Sequence, residues 1–458
     1  MQIPGLNVGI VADDLTGACD TALQFHSSHA SSHIVLNFQR LAHATVTAEH
    51  QHPENQVWSI NTSTRHLDAH EAQAKVRQAV ALCRDRFGVE NFYKKIDSTL
   101  RGNIAQECLG MLDELKAQCA VIAPAYPQAG RRTVGGYQLV RGVPVEKTVV
   151  ARDPLCPVRQ SHIPTLLEQQ TRPGLVGYIP LSVVLHGAGP ILVKLNELIK
   201  EGKKLVVIDA TSTEDLEQIA LSIEKAQKYA KVLPTGSAGL AYALAGLWAV
   251  EPEEGTEIKP KRSLSSSNPS PILIVSGSNT DTTRQQIMRL IENYAYYGQG
   301  SKLEIFQLPP DQVLGLSPVT ETVNRILEAL DERNTVVLST AIQEESYAHT
   351  LSLAREHQLS EHDASLKAQE VLSRIALEVT QAKTVKLVLA GGETTCQVCD
   401  ALGIMELELV AEADESIPLM VDPQGRWLVT KSGGFGSPLA LANVVKFIKQ
   451  QESSSVHA

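Results

Sequence analysis

Two adjacent aspartates, Asp13 and Asp14, end the apolar run of "VGIVADDLTGACDTAL" and precede a Thr-Gly turn and a helical pattern. A carboxylate pair at a strand tip can divide the work of a transfer reaction. One group takes a proton while the other holds the substrate or a magnesium ion. Asp14 is the expected base, since the two-residue period of a strand turns Asp13 to the opposite side. A second polar cluster lies in "FYKKIDSTLRGNIAQE", where Lys95, Asp97, Ser98, Thr99 and Arg101 crowd the turn between a strand and a helix. "INTSTRHL", with Arg65, and "YPQAGRRT", with Arg131 and Arg132, follow other strands. Arginine forks a carboxylate and aspartate accepts sugar hydroxyls, so this mixture suits a small polyhydroxylated anion. Arg65, Lys95, Asp97, Ser98, Arg101 and Arg132 are the expected substrate contacts.

A different device recurs later in the chain. "ILIVSGSNTDTTRQQI", "VKLVLAGGETTCQVCDAL" and "WLVTKSGGFGSPLALANVV" each run strand, glycine turn, helix. Glycine lets the backbone approach a ligand closely, and the helix start offers unpaired N–H groups. Three such turns converging at strand ends make a crevice for an anion, most simply a nucleotide polyphosphate. Neither GxxxxGK[ST] nor GxGxxG occurs, so neither a P-loop nor a dinucleotide fingerprint is expected. Glu393 either serves the backbone at a helix start or holds a magnesium water or a nucleotide hydroxyl. Cys396 and Cys399 fall at the same helix start and read as packing residues. The loose histidine group, His26 to His52, lacks metal-ligand spacing.

The elements that must position these groups alternate short β-branched runs with amphipathic stretches, which is the mark of α/β architecture. Strands are expected at 8–12, 33–36, 57–60, 92–96, 120–123 and 205–208, then at 272–275, 303–307, 335–339, 385–390 and 427–430. "AHEAQAKVRQAVALCRDRF" and "NIAQECLGMLDEL" carry apolar residues at helical spacing. "RRTVGGYQLVRGVPVEKTVVARDP" alternates and turns at Gly135-Gly136 and Arg141-Gly142, as a β-hairpin insertion does. Pro, Ser and charge without hydrophobic period mark residues 251–271 as a linker, dividing domains 1–250 and 272–458. A length of 458 residues fits two domains. Net charge of −10 and 4% aromatic residues weigh against a nucleic-acid partner. No run approaches a membrane span, no signal segment is read, and seven scattered cysteines suit reduced thiols in a cytoplasm.

In combination and in order, "VADDLTGACD", "KKIDSTLRGN", "GRRTVGGYQLVRGVPVEKT" with "ARDPLCP", "PTGSAGLA", "AGGET" and "KSGGFGSP" resemble the four-carbon acid sugar kinase family nearly end to end. The resemblance implies two α/β domains with a cleft between them, an N-terminal sugar-acid domain and a C-terminal nucleotide domain. It implies ATP- and Mg²⁺-dependent phosphorylation of a terminal hydroxyl on threonate, erythronate or 3-oxo-tetronate. By motif, Ser278, Gly391, Gly392, Glu393, Thr394, Gly433 and Gly434 match the nucleotide-contacting positions. "GSNT" departs from the "GSCS" of many relatives, which leaves Asn279 and Thr280 open as contacts. The expected partners are the acid and ATP, with neither nucleic acid nor membrane, and homo-oligomer formation is left open. The rival readings are a two-lobed small-molecule binding or regulatory protein and a nicotinamide dehydrogenase. The missing fingerprint weakens the latter.

Overall fold

The structure is a computed structural model that describes residues 7–26, 31–43, 56–153, 155–248, 270–298 and 300–454. The chain divides into two units, Met1–Glu253 and Glu254–Ala458. The expected linker lies outside the described residues except for its last two positions. His29, His50 and His52 lie outside them too.

The first unit runs β1 (Asn7–Ala12), α1 (Leu15–His26), β2 (Ser31–Val35), α2 (Phe38–His43), β3 (Gln56–Asn61), α3 (Ala69–Phe87), β4 (Asn91–Lys95), α4 (Ile104–Leu115) and β5 (Cys119–Ala123). A three-stranded insertion follows: β6 (Arg131–Val134), β7 (Tyr137–Val140) and β8 (Val143–Pro144). Its two turns have positive φ at both central residues, Gly135 and Gly136, then Arg141 and Gly142. That conformation matches the twist of the strands they join. The unit then continues α5 (Ile163–Gln170), β9 (Val176–Ile179), α6 (Leu181–Val184), α7 (Ala188–Lys200), β10 (Leu205–Ile208), α8 (Thr213–Gln227), β11 (Val232–Gly236) and α9 (Ala238–Trp248). The main strands are all parallel, in the order β2-β3-β1-β4-β11-β5-β10-β9. The chain leaves β1 for one side of the sheet and returns on the other, so β1 is where strand order reverses. Ligands gather at such a point.

Helix α3 shows how locally these elements are specified. Asp68 caps it, accepting from His70 N at 2.9 Å and Glu71 N at 3.0 Å, and Gly88 ends it at φ 61°. Ala72, Val76, Ala79, Val80, Cys83 and Phe87 form its buried stripe. Phe87 stacks on Trp58 of β3 with ring centroids 3.7 Å apart.

The second unit runs β12 (Ile272–Ser276), α10 (Asp281–Tyr297), β13 (Leu303–Gln307), α11 (Pro310–Val313), α12 (Thr320–Asp331), β14 (Thr335–Ser339), α13 (Glu344–Glu356), α14 (Glu361–Ala382), β15 (Lys386–Ala390), α15 (Gly392–Ala401), β16 (Glu406–Asp414), β17 (Ile417–Val421), β18 (Trp427–Lys431) and α16 (Ala440–Ser454). The strand order is β13-β14-β12-β15-β18-β17-β16. The first five are parallel, and β17 and β16 continue antiparallel. Four strands escape the sequence reading. β9 is only four residues long, and β11, "VLPTG", carries the Pro and Gly that normally argue against a strand. β16 and β17 form a hairpin whose turn places Ser416 at φ 58° without a glycine. Among the described residues, no helix is long and apolar enough to cross a membrane.

Candidate active site

In the first unit, β3, β1 and β4 end in register, with Ala12 opposite both Asn61 and Lys95. The residues after them therefore share one sheet edge. β1 stops at Ala12, and Asp14 begins α1 by accepting from Gly17 N at 2.9 Å. The turn after β3 folds back over that tip, because the Asp13 carbonyl accepts the amides of Thr64 at 3.0 Å and Arg65 at 3.3 Å. Arg65 then spans both carboxylates. Its Nε donates to Asp13 Oδ2 at 2.7 Å, Nη2 to Asp13 Oδ1 at 3.1 Å and Nη1 to Asp14 Oδ2 at 2.8 Å. The expected opposite orientation of Asp13 and Asp14 is thus corrected. Both lie beyond the strand, where alternation no longer applies, and one guanidinium compensates two like charges.

The neighbours differ in surroundings. Asp13 is buried, whereas the Asp14 side chain keeps 27% exposure. Burial alone would raise the Asp13 carboxyl. Arg65, then Lys94 and Lys95, outweigh it and hold the group below the usual carboxylate range. Below the site, Lys94 pairs with Glu107 at 2.7 Å, both fully buried, and donates to the carbonyls of Val11 at 3.2 Å and Lys95 at 2.7 Å. Sequence reasoning missed this pair. Its one signal was a charged residue pointing into an otherwise apolar face of β4. Lys95 points the other way. It is 5% exposed, and its ammonium makes no hydrogen bond or ion pair among the described residues. A Cβ on Gly17 would lie 2.7 Å from Asp14 Oδ1 and 2.8 Å from Lys95 Nζ, which places that ammonium beside the start of α1.

The turn after β4 completes the edge. Asp97 accepts from Thr99 Oγ1 and from Arg101 Nε, the latter at 2.7 Å, and Arg101 Nη1 reaches Asp153 at 3.1 Å. Burial opposes ionisation of Asp97, but Arg101 and Arg65 hold its carboxyl far below the ordinary range. Leu100 at φ 68° and Gly102 at φ 97° bend the chain so that Gly102 faces Asp13 Oδ2. Ser98 is buried, and its carbonyl accepts from Gln138 Nε2 at 2.7 Å, which pins the insertion to this turn. Asp209 holds the insertion's first turn through the amides of Gly135 and Gly136 at 2.8 and 2.9 Å. Arg132 does not join the cluster. It is exposed on β6, and strand alternation turns Arg131 inward instead, where burial lowers its guanidinium against the opposing pull of Asp97. Arg65 is also not the expected fork for a ligand carboxylate, since all three of its nitrogens are engaged by Asp13 and Asp14.

In the second unit, the three glycine turns leave the adjacent parallel strands β12, β15 and β18 and meet. A Cβ on Gly277 would collide with Thr394 Oγ1, and one on Gly433 with Ser278 Oγ. Gly391, at φ 120°, faces Thr394 Oγ1 at 3.0 Å from the same position. Thr280 caps α10 and donates to the Gly433 carbonyl at 2.6 Å, and Thr283 donates to the same oxygen at 2.9 Å. The "GSNT" departure therefore ties the first turn to the third. Gly392 opens α15, and Glu393, exposed beside it, accepts from Gln369 at 2.8 Å. Glu393 thus bonds a side chain of α14 where a backbone cap was one expectation. Gly434 is exposed next to Gly433. Sequence reasoning missed Lys431, which is 2% exposed under the third turn. Among the described residues, no group of three or more His, Cys, Asp or Glu side chains is arranged to hold a metal ion.

Residues 8–244 match the family model of a sugar-binding N-terminal domain, and residues 273–441 that of a nucleotide-binding C-terminal domain. The D-erythronate kinase of Heliobacterium modesticaldum is 31% identical over 98% of this chain and 99% of its own length. The D-threonate kinase of Salmonella typhimurium is 28% identical over 96% of this chain and 98% of its own. The crystal structure of a Haemophilus influenzae protein has the same fold, with a TM-score of 0.70 and 23% identity over 95% of this chain and 98% of that one.

Proposed function

Because the chain belongs to the four-carbon acid sugar kinase family, we propose that it transfers the γ-phosphoryl group of ATP to the terminal hydroxyl of a four-carbon sugar acid of the threonate, erythronate or 3-oxo-tetronate type. The observation that carries this reading is the buried, unpartnered Lys95 ammonium beside the Arg65-bridged aspartates. A buried cation near Asp13 but with no direct hydrogen bond or ion pair is costly, and a ligand carboxylate is the group that would relieve it. Arg101, whose Nη2 is not engaged among the described residues, is a second donor for the acid.

The hydroxyl oxygen forms a bond to the γ-phosphorus as the bond to the β-bridging oxygen breaks, and ADP departs. Asp14, the more exposed carboxylate, receives the hydroxyl proton, while Asp13 stays ionised and fixes Arg65. The glycine turns of the second unit hold the nucleotide phosphates through backbone N–H groups. Magnesium would enter with those phosphates and water, needing few protein ligands. Glu393 Oε1, free of the Gln369 contact, suits a magnesium-bound water. In this role the ion neutralises phosphate charge.

Incubation with MgATP and a panel of four-carbon acids, followed by ADP release and phosphate transfer, tests the proposal. One or more acids should be phosphorylated, and the matching neutral tetritol should be a poor substrate because Lys95 then has no carboxylate to meet. Equal turnover of acid and tetritol would contradict the role given to Lys95. Binding without ADP formation would favour the binding-protein reading.

A further inference from the structure

Lys431 ends β18 with its ammonium turned under the third glycine turn. It donates to the Ser432 carbonyl at 2.5 Å, the Gly433 carbonyl at 3.3 Å and Thr283 Oγ1 at 3.2 Å. The peptide unit is planar and trans, so its C=O and the following N–H point in opposite directions. Two carbonyls drawn inward therefore turn the amides of Gly433 and Gly434 outward, and neither amide has a partner among the described residues. Successive outward amides form a concavity for an anion. No carboxylate pairs with Lys431 among the described residues, so its charge lies buried without a counter-ion. We propose that Lys431 is a positioning residue of the nucleotide site, holding the 432–434 turn from below so that the Gly433 and Gly434 amides face a phosphate group whose charge compensates its own. This inference rests on the nucleotide reading given above.

Burial brings the Lys431 ammonium down to about 8. The charged groups on the elements packed around it are placed elsewhere and do not act on it. Arg284 pairs with Asp281 and Arg289 with Glu292 on α10, Glu393 meets Gln369, Asp400 lies in the last turn of α15, and Lys386 stands over Trp427. β17, "IPLMV", carries no charge. A bound phosphate favours the protonated lysine, so binding raises its pKa and takes up a proton near pH 8. Affinity is then full below pH 8 and falls as pH rises above it.

Calorimetry of the full chain with MgADP, from pH 6.5 to 9 in buffers of different ionisation heat, tests this. The wild type should take up part of a proton near pH 8 and weaken about tenfold between pH 7.5 and 9. Lys431→Arg should bind with a flat profile and no uptake. Lys431→Met should bind at least about tenfold more weakly at pH 7, also without uptake. If Lys431→Met fails to fold, wild-type uptake and its loss in Lys431→Arg still decide. Wild-type binding without proton uptake, or Lys431→Met binding as tightly as wild type, overturns the inference while leaving the nucleotide reading intact. No MgADP binding by the wild type at pH 7 overturns the nucleotide reading and the inference with it.

Discussion

A carboxylate held through both oxygens by one guanidinium is a poor proton acceptor, and this separates the neighbours Asp13 and Asp14. Arg65 bonds both oxygens of Asp13 but only one of Asp14, whose other oxygen starts α1. Asp14→Asn keeps size and hydrogen bonding and cannot take a proton, so kcat is expected to fall by about 10²–10⁴ with nucleotide affinity nearly unchanged. Asp13→Asn removes the carboxylate that holds buried Arg65 through two oxygens, leaving Asp14 as its ion pair, and its first effect is expected on stability, about 2 kcal/mol. From the sequence alone, both variants are expected to stay folded. Steady-state kinetics and thermal unfolding of the two variants check this. Normal kcat in Asp14→Asn with loss in Asp13→Asn would exchange the roles. That Asp13, Asp14, Arg65, Lys95, Asp97, Ser98 and Arg101 gather at one sheet edge was legible in the sequence, because short polar runs at strand ends are local, whereas the pairing of Arg65 with both aspartates was not. Lys94, Glu107 and Lys431 were not, since a lysine in a strand reads as solvated until its burial is known.

At the scale of elements, the glycine turns work by close approach. A side chain on Gly433 would drive into the Ser278 hydroxyl, which also accepts from Thr283 at 3.1 Å. Gly433→Ala is expected to weaken MgADP binding roughly tenfold, about 1.4 kcal/mol, with the helical content unchanged. Calorimetry with circular dichroism reads both, and wild-type affinity would mean that the turn does not approach the nucleotide. The hairpin insertion was legible because Gly135, Gly136 and Gly142 favour positive φ locally at its two turns. β11 was not legible. Its Pro and Gly argue against a strand locally, and it becomes one only through its pairing with the distant strands β4 and β5.

At the scale of the molecule, each unit has its own buried core. That of the first is built around Val8, Ile10, Val121, Val206 and Leu240, and that of the second around Ile274, Val337, Val388 and Val429. A fragment from residue 271 onward is therefore expected to fold and bind MgADP while lacking phosphotransfer. Nucleotide binding by residues 1–250 alone would invert the assignment of the two units. The α/β class, most strands and helices, and the motifs of both sites were determined by the sequence itself, because hydrophobic period, caps and turn glycines act over a few residues. Only the tertiary structure decided which of those motifs meet. β1 lies between β3 and β4, separated from them by many residues in the chain, and their common register is what lays Arg65 across Asp13 and Asp14 and leaves Lys95 without a partner. Strand order and burial are long-range outcomes, and from them follows which buried charge is paired within the fold and which is not.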